Sequence, residues 1–179
     1  MYELIILSLL MRQPAHGYLI GKVLNNIIGP VARASNGRIY PLLAKLEESG
    51  LITAQEEEQE GRPIRTYRIT PRGRERFREL MLDTTSNPRE YQDLFAFKVT
   101  VFPLISPAER IGLIQHYIEY AQAHIAHLER GIAELTEGAI PGEPASLAGV
   151  LRHRLEQWHL ELSWARFLLR TMGERPPAR

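Results

Sequence analysis

From Ile111 to Leu135 an apolar residue recurs at alternating spacings of three and four: Ile111, Ile114, Ile118, Ala121, Ile125, Leu128, Ile132 and Leu135. The same rhythm returns from Ala148 through Leu151, Leu155, Trp158, Leu162, Ala165 and Leu169 to Met172. Such spacing is the seam of a coiled-coil-like helix, and the Pro/Gly-containing "EGAIPGEPAS" between the two seams predicts a hairpin with antiparallel arms. In "SPAE", Ser106, Pro107 and Glu109 supply an N-cap, a first-turn proline and a capping-box acid for the first arm. One narrow stripe on each of two helices cannot close a large core, so this half is expected to bury itself against a second copy of the chain. The residues assigned to that homodimer are Ile111, Ile114, Ile118, Ile125, Leu128, Leu151, Leu155, Trp158, Leu162 and Leu169.

The first half follows different rules. Residues 2–13 and 18–28 have helical periodicity, with "QPAHG" as punctuation between them. The third segment, "SNGRIYPLLAKLEESGLI", places Ile39, Leu42 or Leu43, and Leu46 on one face, with Ser35 as N-cap and Gly50 as C-cap. Asn36, Arg38, Pro41 and Lys45 then point outward. Gly37 and Pro41 cost about 1 and 3 kcal/mol inside a helix. Either the regular helix begins nearer Ile39, or its first turn must approach a partner closely. "LITAQ", the polar "EEEQEGRP" and the alternating "IRTYRIT" read as a two-stranded hairpin with a long tip, and Thr70 with Pro71 opens a fourth helix.

Of 179 residues, 22 are basic and 21 acidic, so net charge alone says nothing about an anionic partner. The distribution does: seven arginines (62, 65, 68, 72, 74, 76 and 78) stand against Glu75 between Arg62 and Arg78, just after the acidic "EEEQE". The chain has no cysteine, which excludes disulfides and thiolate metal sites and fits a reducing cytoplasm. The apolar run "LIILSLLM" is too short to span a bilayer and lacks the flanks of a signal peptide, so no membrane association is expected. Neither a glycine-rich phosphate loop, a nucleophile elbow nor a His/carboxylate signature is present; the chain reads as a non-enzyme with no cofactor.

Three helices, a basic hairpin and a fourth helix make the order in which one helix enters a DNA major groove and the hairpin, or wing, reaches the flanking backbone or minor groove. Ser35 and Asn36 offer short hydrogen-bonding groups at the helix start, and Gly37 removes a side chain that would hold the backbone away. Arg38 suits a guanine edge or a phosphate, and Tyr40 offers a phenolic donor. Arg62 and Arg65, flanking Pro63, suit a narrow, negative minor groove. The fold class expected is mainly α: a winged helix-turn-helix over 1–83 with a two-stranded wing, then a helical antiparallel dimerisation and effector-sensing domain over 88–175, the break falling at "DTTSNPRE".

"HGYLI", "GRIYPLLAKLEESGLI" and "GRPIRTYRITPRGRERF" resemble the PadR family of bacterial transcriptional regulators, over roughly the first half of the chain. The long helical second half is similar to the dimerisation domain of the longer members. The resemblance implies a homodimeric repressor on double-stranded DNA with an inverted-repeat operator, relieved by a small, often aromatic, effector. It implies phosphate contacts for Tyr18 and Tyr40, base reading from Ser35 to Lys45, and a wing contact from Arg62 to Arg65. Where the family often has proline after the capping serine, Asn36 stands here.

Other constellations have plainer readings. His116, Tyr120, His124 and His127 lie near one helix face, but no acid or cysteine joins them as a zinc ligand set, and solvated or interface histidines suffice. Phe95, Phe97, Phe102, Tyr117, Trp158 and Trp164 read as core before they read as an effector pocket, whose residues stay unassigned. The alternative function is a helical adaptor whose arginine-rich hairpin docks an acidic protein.

Overall fold

The structure, a computed structural model, describes residues 1–28, 36–59, 62–85, 90–136 and 145–173, with no side-chain description at 28, 36–38, 57–59, 62–63, 145 and 173. The chain forms two compact units, Met1–Ile105 and Ser106–Arg179. Sequence placed the boundary earlier, at 83–88, part of which lies outside the described residues. The division falls after residues 91–104 because that stretch packs with the first unit.

Unit one runs α1 (Tyr2–Arg12), β1 (Ala15–His16), α2 (Gly17–Ile28), α3 (Asn36–Glu48), β2 (Ile52–Gln59), β3 (Arg62–Ile69), α4 (Pro71–Leu82), α5 (Tyr91–Thr100) and the 3-10 helix Phe102–Leu104. Helix α1 is apolar nearly all round, and it buries Leu4, Ile5, Ile6, Leu7 and Leu10. Its one buried hydroxyl, Ser8 Oγ, donates to the Ile5 carbonyl at 2.8 Å. Ile20 and Leu24 of α2, Ile39, Leu43 and Leu46 of α3, and Phe77 and Met81 of α4 add to the buried core of these four helices. Of the two leucines that spacing leaves open on the α3 stripe, Leu43 is the buried one and Leu42 is half-buried, while Pro41 and Lys45 are exposed. Ser35, the expected cap, lies outside the described residues.

The end of α3 is a Schellman motif. Gly50 takes φ +69°, its N–H donates to Glu47 O at 2.9 Å, and Leu51 N–H donates to Leu46 O at 2.9 Å. Thr70 locks this turn to the next helix: its hydroxyl donates to Gly50 O at 2.7 Å and accepts from Gly73 N–H at 3.0 Å as the N-cap of α4, with Pro71 at the first position. Gly73 is required by contact, since a Cβ there would lie 2.0 Å from Leu51 O.

The sheet departs from expectation in two ways. It has three strands, not two, in the order β1-β3-β2, all antiparallel, because the punctuation segment "AH" pairs Ala15 with Tyr67 and His16 with Thr66. The hairpin tip is also short rather than long: the acidic run continues β2, with Glu56 opposite Arg65, Glu57 opposite Ile64 and Gln59 opposite Arg62. Opposite charges across the ladder favour extending the strands.

Helix α5 carries a fully buried lysine. Lys98 is 0% exposed, and its Nζ donates to the Asp83 carbonyl at the end of α4. Burial pulls its pKa from 10.5 down to about 8, opposed by the Asp83 carboxylate. That carboxylate is held below its usual range chiefly by hydrogen bonds from the Thr85 hydroxyl and N–H. In the same stretch of chain Tyr91, Phe95 and Phe102 are buried, the last two meeting edge to face at 6.4 Å.

Unit two is the expected hairpin of α6 (Pro107–Thr136) and α7 (Ala145–Gly173). Its capping box is formed, with Ser106 Oγ donating to Glu109 Oε2 at 2.7 Å and Ser106 N–H donating to the same oxygen at 2.8 Å. The Tyr117 hydroxyl donates to Glu161 Oε2 at 2.7 Å near one end, while Gly131 faces Leu151 near the other, so the arms run antiparallel. Ala121, Ile125 and Leu162 form a small core, flanked by Ile118, Leu155 and Trp158. The two seams thus face each other within one chain. Ile114, Leu128 and Ala165 are also buried, while Ile111, Leu151 and Leu169 are half-buried. Among the described residues of this unit, the large apolar side chains left in the open are on α7: Val150 is 50%, Leu160 70% and Phe167 53% exposed.

Candidate nucleic-acid interface

An α-β-α-α-β-β-α order with an antiparallel sheet defines a winged helix-turn-helix, in which α3 follows α2 as the recognition helix and β2–β3 form the wing. One recess of about 440 Å³ lies where these parts meet, lined by His16, Gly17, Tyr18, Tyr40, Ile64, Arg65 and Tyr67. Tyr18 in the first turn of α2 is 77% exposed, and Tyr40 in the second turn of α3 is 51% exposed. Gly17 lets the Tyr40 ring close in: a Cβ at Gly17 would lie 3.0 Å from Cε1 of that ring and 3.3 Å from its hydroxyl.

Arg65 closes the side of the recess made by β3. Its Nη2 donates to Glu47 Oε2 at 2.7 Å, and its guanidinium stands 5.8 Å from the Tyr67 ring centroid. The pair is exposed, so water screens it and the arginine can exchange one anion for another. Tyr67 itself is buried; burial raises its pKa, with Arg65 opposing, so the phenol stays protonated. Two exposed phenols and a guanidinium around the N-terminal end of a helix suit an anionic oxygen, above all a backbone phosphate.

Of the residues singled out from sequence, Tyr18, Tyr40 and Arg65 come together here, although Arg65 was expected at the wing tip and sits partway down β3. Lys45 is exposed on α3. Asn36, Gly37 and Arg38 lie in the first turn of α3, and Arg62 and Pro63 begin β3; their side chains are outside the description. The arginines of α4 divide: Arg76 bonds Glu3 at 2.9 Å and Glu79 at 3.0 Å, tying α4 to α1, whereas Arg72, Arg74 and Arg78 are exposed. Sequence reasoning missed His16, Glu47 and Tyr67. His16 carried a signal, a polar residue just before a helix that opens with glycine.

The remaining candidates sit elsewhere. Phe95, Phe97 and Phe102 are buried inside unit one. On the helical hairpin, Tyr120 meets Trp158 edge to face at 5.5 Å, His124 stacks on Trp158 at 4.2 Å, and Tyr117 meets Trp164 at 6.4 Å. Burial, reinforced by His127, lowers the His124 pKa. Among the described residues no cluster of three or more His, Asp or Glu could hold a metal ion, and no helix is long and apolar enough to cross a membrane.

Comparison with known proteins matches residues 6–79 to the transcriptional regulator PadR-like family, which covers the helix-turn-helix, the wing and most of α4. Residues 6–79 are thus similar to a PadR-like domain, and the chain as a whole is similar to a transcriptional regulator. It is 26% identical over 173 residues to the negative transcriptional regulator PadR of Bacillus subtilis (strain 168), spanning 92% of this chain and 93% of that protein. It is 44% identical over 56 residues to the transcriptional regulator YqjI of Escherichia coli (strain K12), covering 31% of this chain and 27% of that one. Among solved structures, Bacillus subtilis PadR in complex with operator DNA aligns over 95% of this chain and 96% of that chain, with 23% identity and a TM-score of 0.44.

Proposed function

We propose that this chain is a cytoplasmic, non-enzymatic transcriptional repressor that binds an inverted-repeat operator as a homodimer. Helix α3 reads the major groove from Ser35 to Lys45, with Arg38 as the base reader, while Tyr18, Tyr40 and Arg65 hold the phosphate backbone and Arg62 with Pro63 follows the wing outward. The observation that carries this reading is the convergence of two exposed phenols and one arginine on a single recess beside the recognition helix, inside a PadR-like domain. Kinship over nearly the whole length with a negative regulator supports repression. Domains over 1–83 and 88–175 divide the work, the first binding DNA and the second pairing the chains and sensing a small aromatic effector. Since the helical seams close within one chain, the partner chain covers the neighbouring α7 face carrying Leu160 and Phe167. The test is titration of duplex DNA at several salt concentrations: log affinity should fall by about 0.9 per phosphate neutralised for each tenfold rise in salt. A salt-insensitive chain that instead captures acidic proteins would be the adaptor.

A further inference from the structure

The recess also contains a histidine that the DNA-binding reading has not used. His16 is the last residue of β1, held there by pairing with Thr66, and it immediately precedes α2. Its Nδ1 accepts a hydrogen bond from the Leu19 backbone N–H at 3.2 Å. A backbone N–H is always the donor, so Nδ1 is an unprotonated acceptor and the proton of the neutral ring sits on Nε2. Leu19 is the third residue of α2, and its N–H is one of the first-turn donors that the helix itself leaves without a carbonyl. Histidine thus takes the role that serine, threonine, aspartate or asparagine fills at most helix starts.

The consequence reaches Tyr18, which lies in the turn closed by that bond. The His16 and Tyr18 rings are nearly parallel, 15° apart, but their centroids are 6.3 Å apart. Ring attraction at that distance is weak, so the backbone bond, rather than stacking, fixes where the Tyr18 side chain leaves the helix. We propose that His16 is a positioning residue for DNA binding: through Nδ1 it holds the first turn of α2 so that the exposed Tyr18 phenol faces the same recess as Tyr40 and Arg65. This inference rests on the proposed phosphate role of Tyr18. The titratable or charged groups facing His16 are the phenols of Tyr18, Tyr40 and Tyr67 and the Arg65 guanidinium, itself paired with Glu47. A cation on the imidazole would add attraction for phosphate while removing the cap, so the role is tested by substitution rather than by pH.

The experiment measures full-length protein on a mixed-sequence duplex, where phosphate contacts dominate, for wild type and for His16→Ala, His16→Asn, His16→Phe, Tyr18→Phe and the His16→Ala/Tyr18→Phe double variant, each with a thermal melt. His16→Ala should weaken binding by about five- to tenfold, and His16→Asn, which restores a cap without the ring, should return to within about twofold of wild type. His16→Phe, which keeps a ring without the acceptor, should bind as poorly as alanine, and it decides the matter if alanine fails to fold. In the Tyr18→Phe background His16→Ala should cost nothing further in binding, while its effect on melting persists, because a histidine acting only on stability would not be coupled to the phenol. Losses that multiply, or an asparagine variant as weak as alanine, would overturn the positioning role while leaving the DNA-binding reading intact. A Tyr18→Phe variant with full affinity would overturn the phosphate role of Tyr18 and the positioning role with it, while a wild-type chain that does not bind the duplex would overturn the DNA-binding reading itself.

Discussion

The two units solve the problem of burying a core in opposite ways. The second repeats one rule for sixty residues: an apolar side chain every three or four positions, facing its counterpart on the other arm around Ala121, Ile125 and Leu162. The first is joined by single atoms at single places, where Thr70 bonds two carbonyls and a backbone N–H and Gly73 admits the Leu51 carbonyl where a Cβ would go. Periodic burial gives a shape tolerant of local change, because each rung repeats its neighbours. Point contacts give a shape that holds recognition side chains at fixed angles but fails when one atom is added. The unit we assign to DNA is the one built by point contacts.

That contrast should break most visibly at two glycines. Gly73→Ala places a methyl group against Leu51 O and should lower unfolding stability by about 3 kcal/mol or more, since neither backbone can yield. Gly112→Ala in α6, where a Cβ meets nothing within 4 Å, should instead raise stability by about 0.5–1 kcal/mol. Urea titration of both variants checks this, and equal effects would erase the distinction between the units.

Lys98 sharpens the comparison, since unit one buries a charge while the described core of unit two buries none. With a folded pKa of about 8 and an unfolded value of 10.5, the unfolded chain binds a proton between these limits that the folded chain does not. Stability from this group therefore rises with pH across that window. Relative to Lys98→Met, wild type should gain on the order of 3 kcal/mol between pH 8 and pH 10.5. A difference that stays flat in parallel urea titrations would mean that Lys98 titrates as an exposed lysine.

A smaller effect separates the inner and outer faces of α7. Leu160→Glu and Phe167→Glu change side chains in the open, so helicity should persist while self-association weakens by about 1–3 kcal/mol. Sedimentation velocity over a concentration series reads the shift. An unchanged assembly would return the dimer contact to the half-buried seam residues such as Ile111 and Leu169. The least costly change concerns the wing: replacing both Arg62 and Arg65 by alanine should make the salt slope shallower by about one to two units on any duplex. No change in slope would remove the wing from the DNA contact.

These contrasts also explain what was legible in the residues. The hairpin, its antiparallel sense and its capping box follow from spacing and from Ser106 to Glu109, which are local signals. The identity of the face opposite the seam is not local, and a stripe looks the same whether its neighbour is the other arm or another chain. Strand β1 is two residues long and owes its existence to β3, some fifty positions away, so "AH" reads only as punctuation. "EEEQ" resembles a loop because four polar residues favour no strand by themselves; cross-strand neighbours such as Arg65 opposite Glu56 make the difference. At the candidate site, tyrosines and arginines declare their chemistry by type. The Nδ1 of His16 does not, because its role depends on where α2 begins.

Two winged units, paired through the helical half, are proposed to read DNA together. Selection of bound fragments from random-sequence duplex by the full-length protein tests it most directly. The account predicts enrichment of an inverted repeat whose half-sites are centred about 10 base pairs, or about 34 Å, apart or a whole multiple of that, as two-fold symmetry requires. Recovery of unenriched sequence, or of isolated half-sites with no preferred spacing, would contradict it.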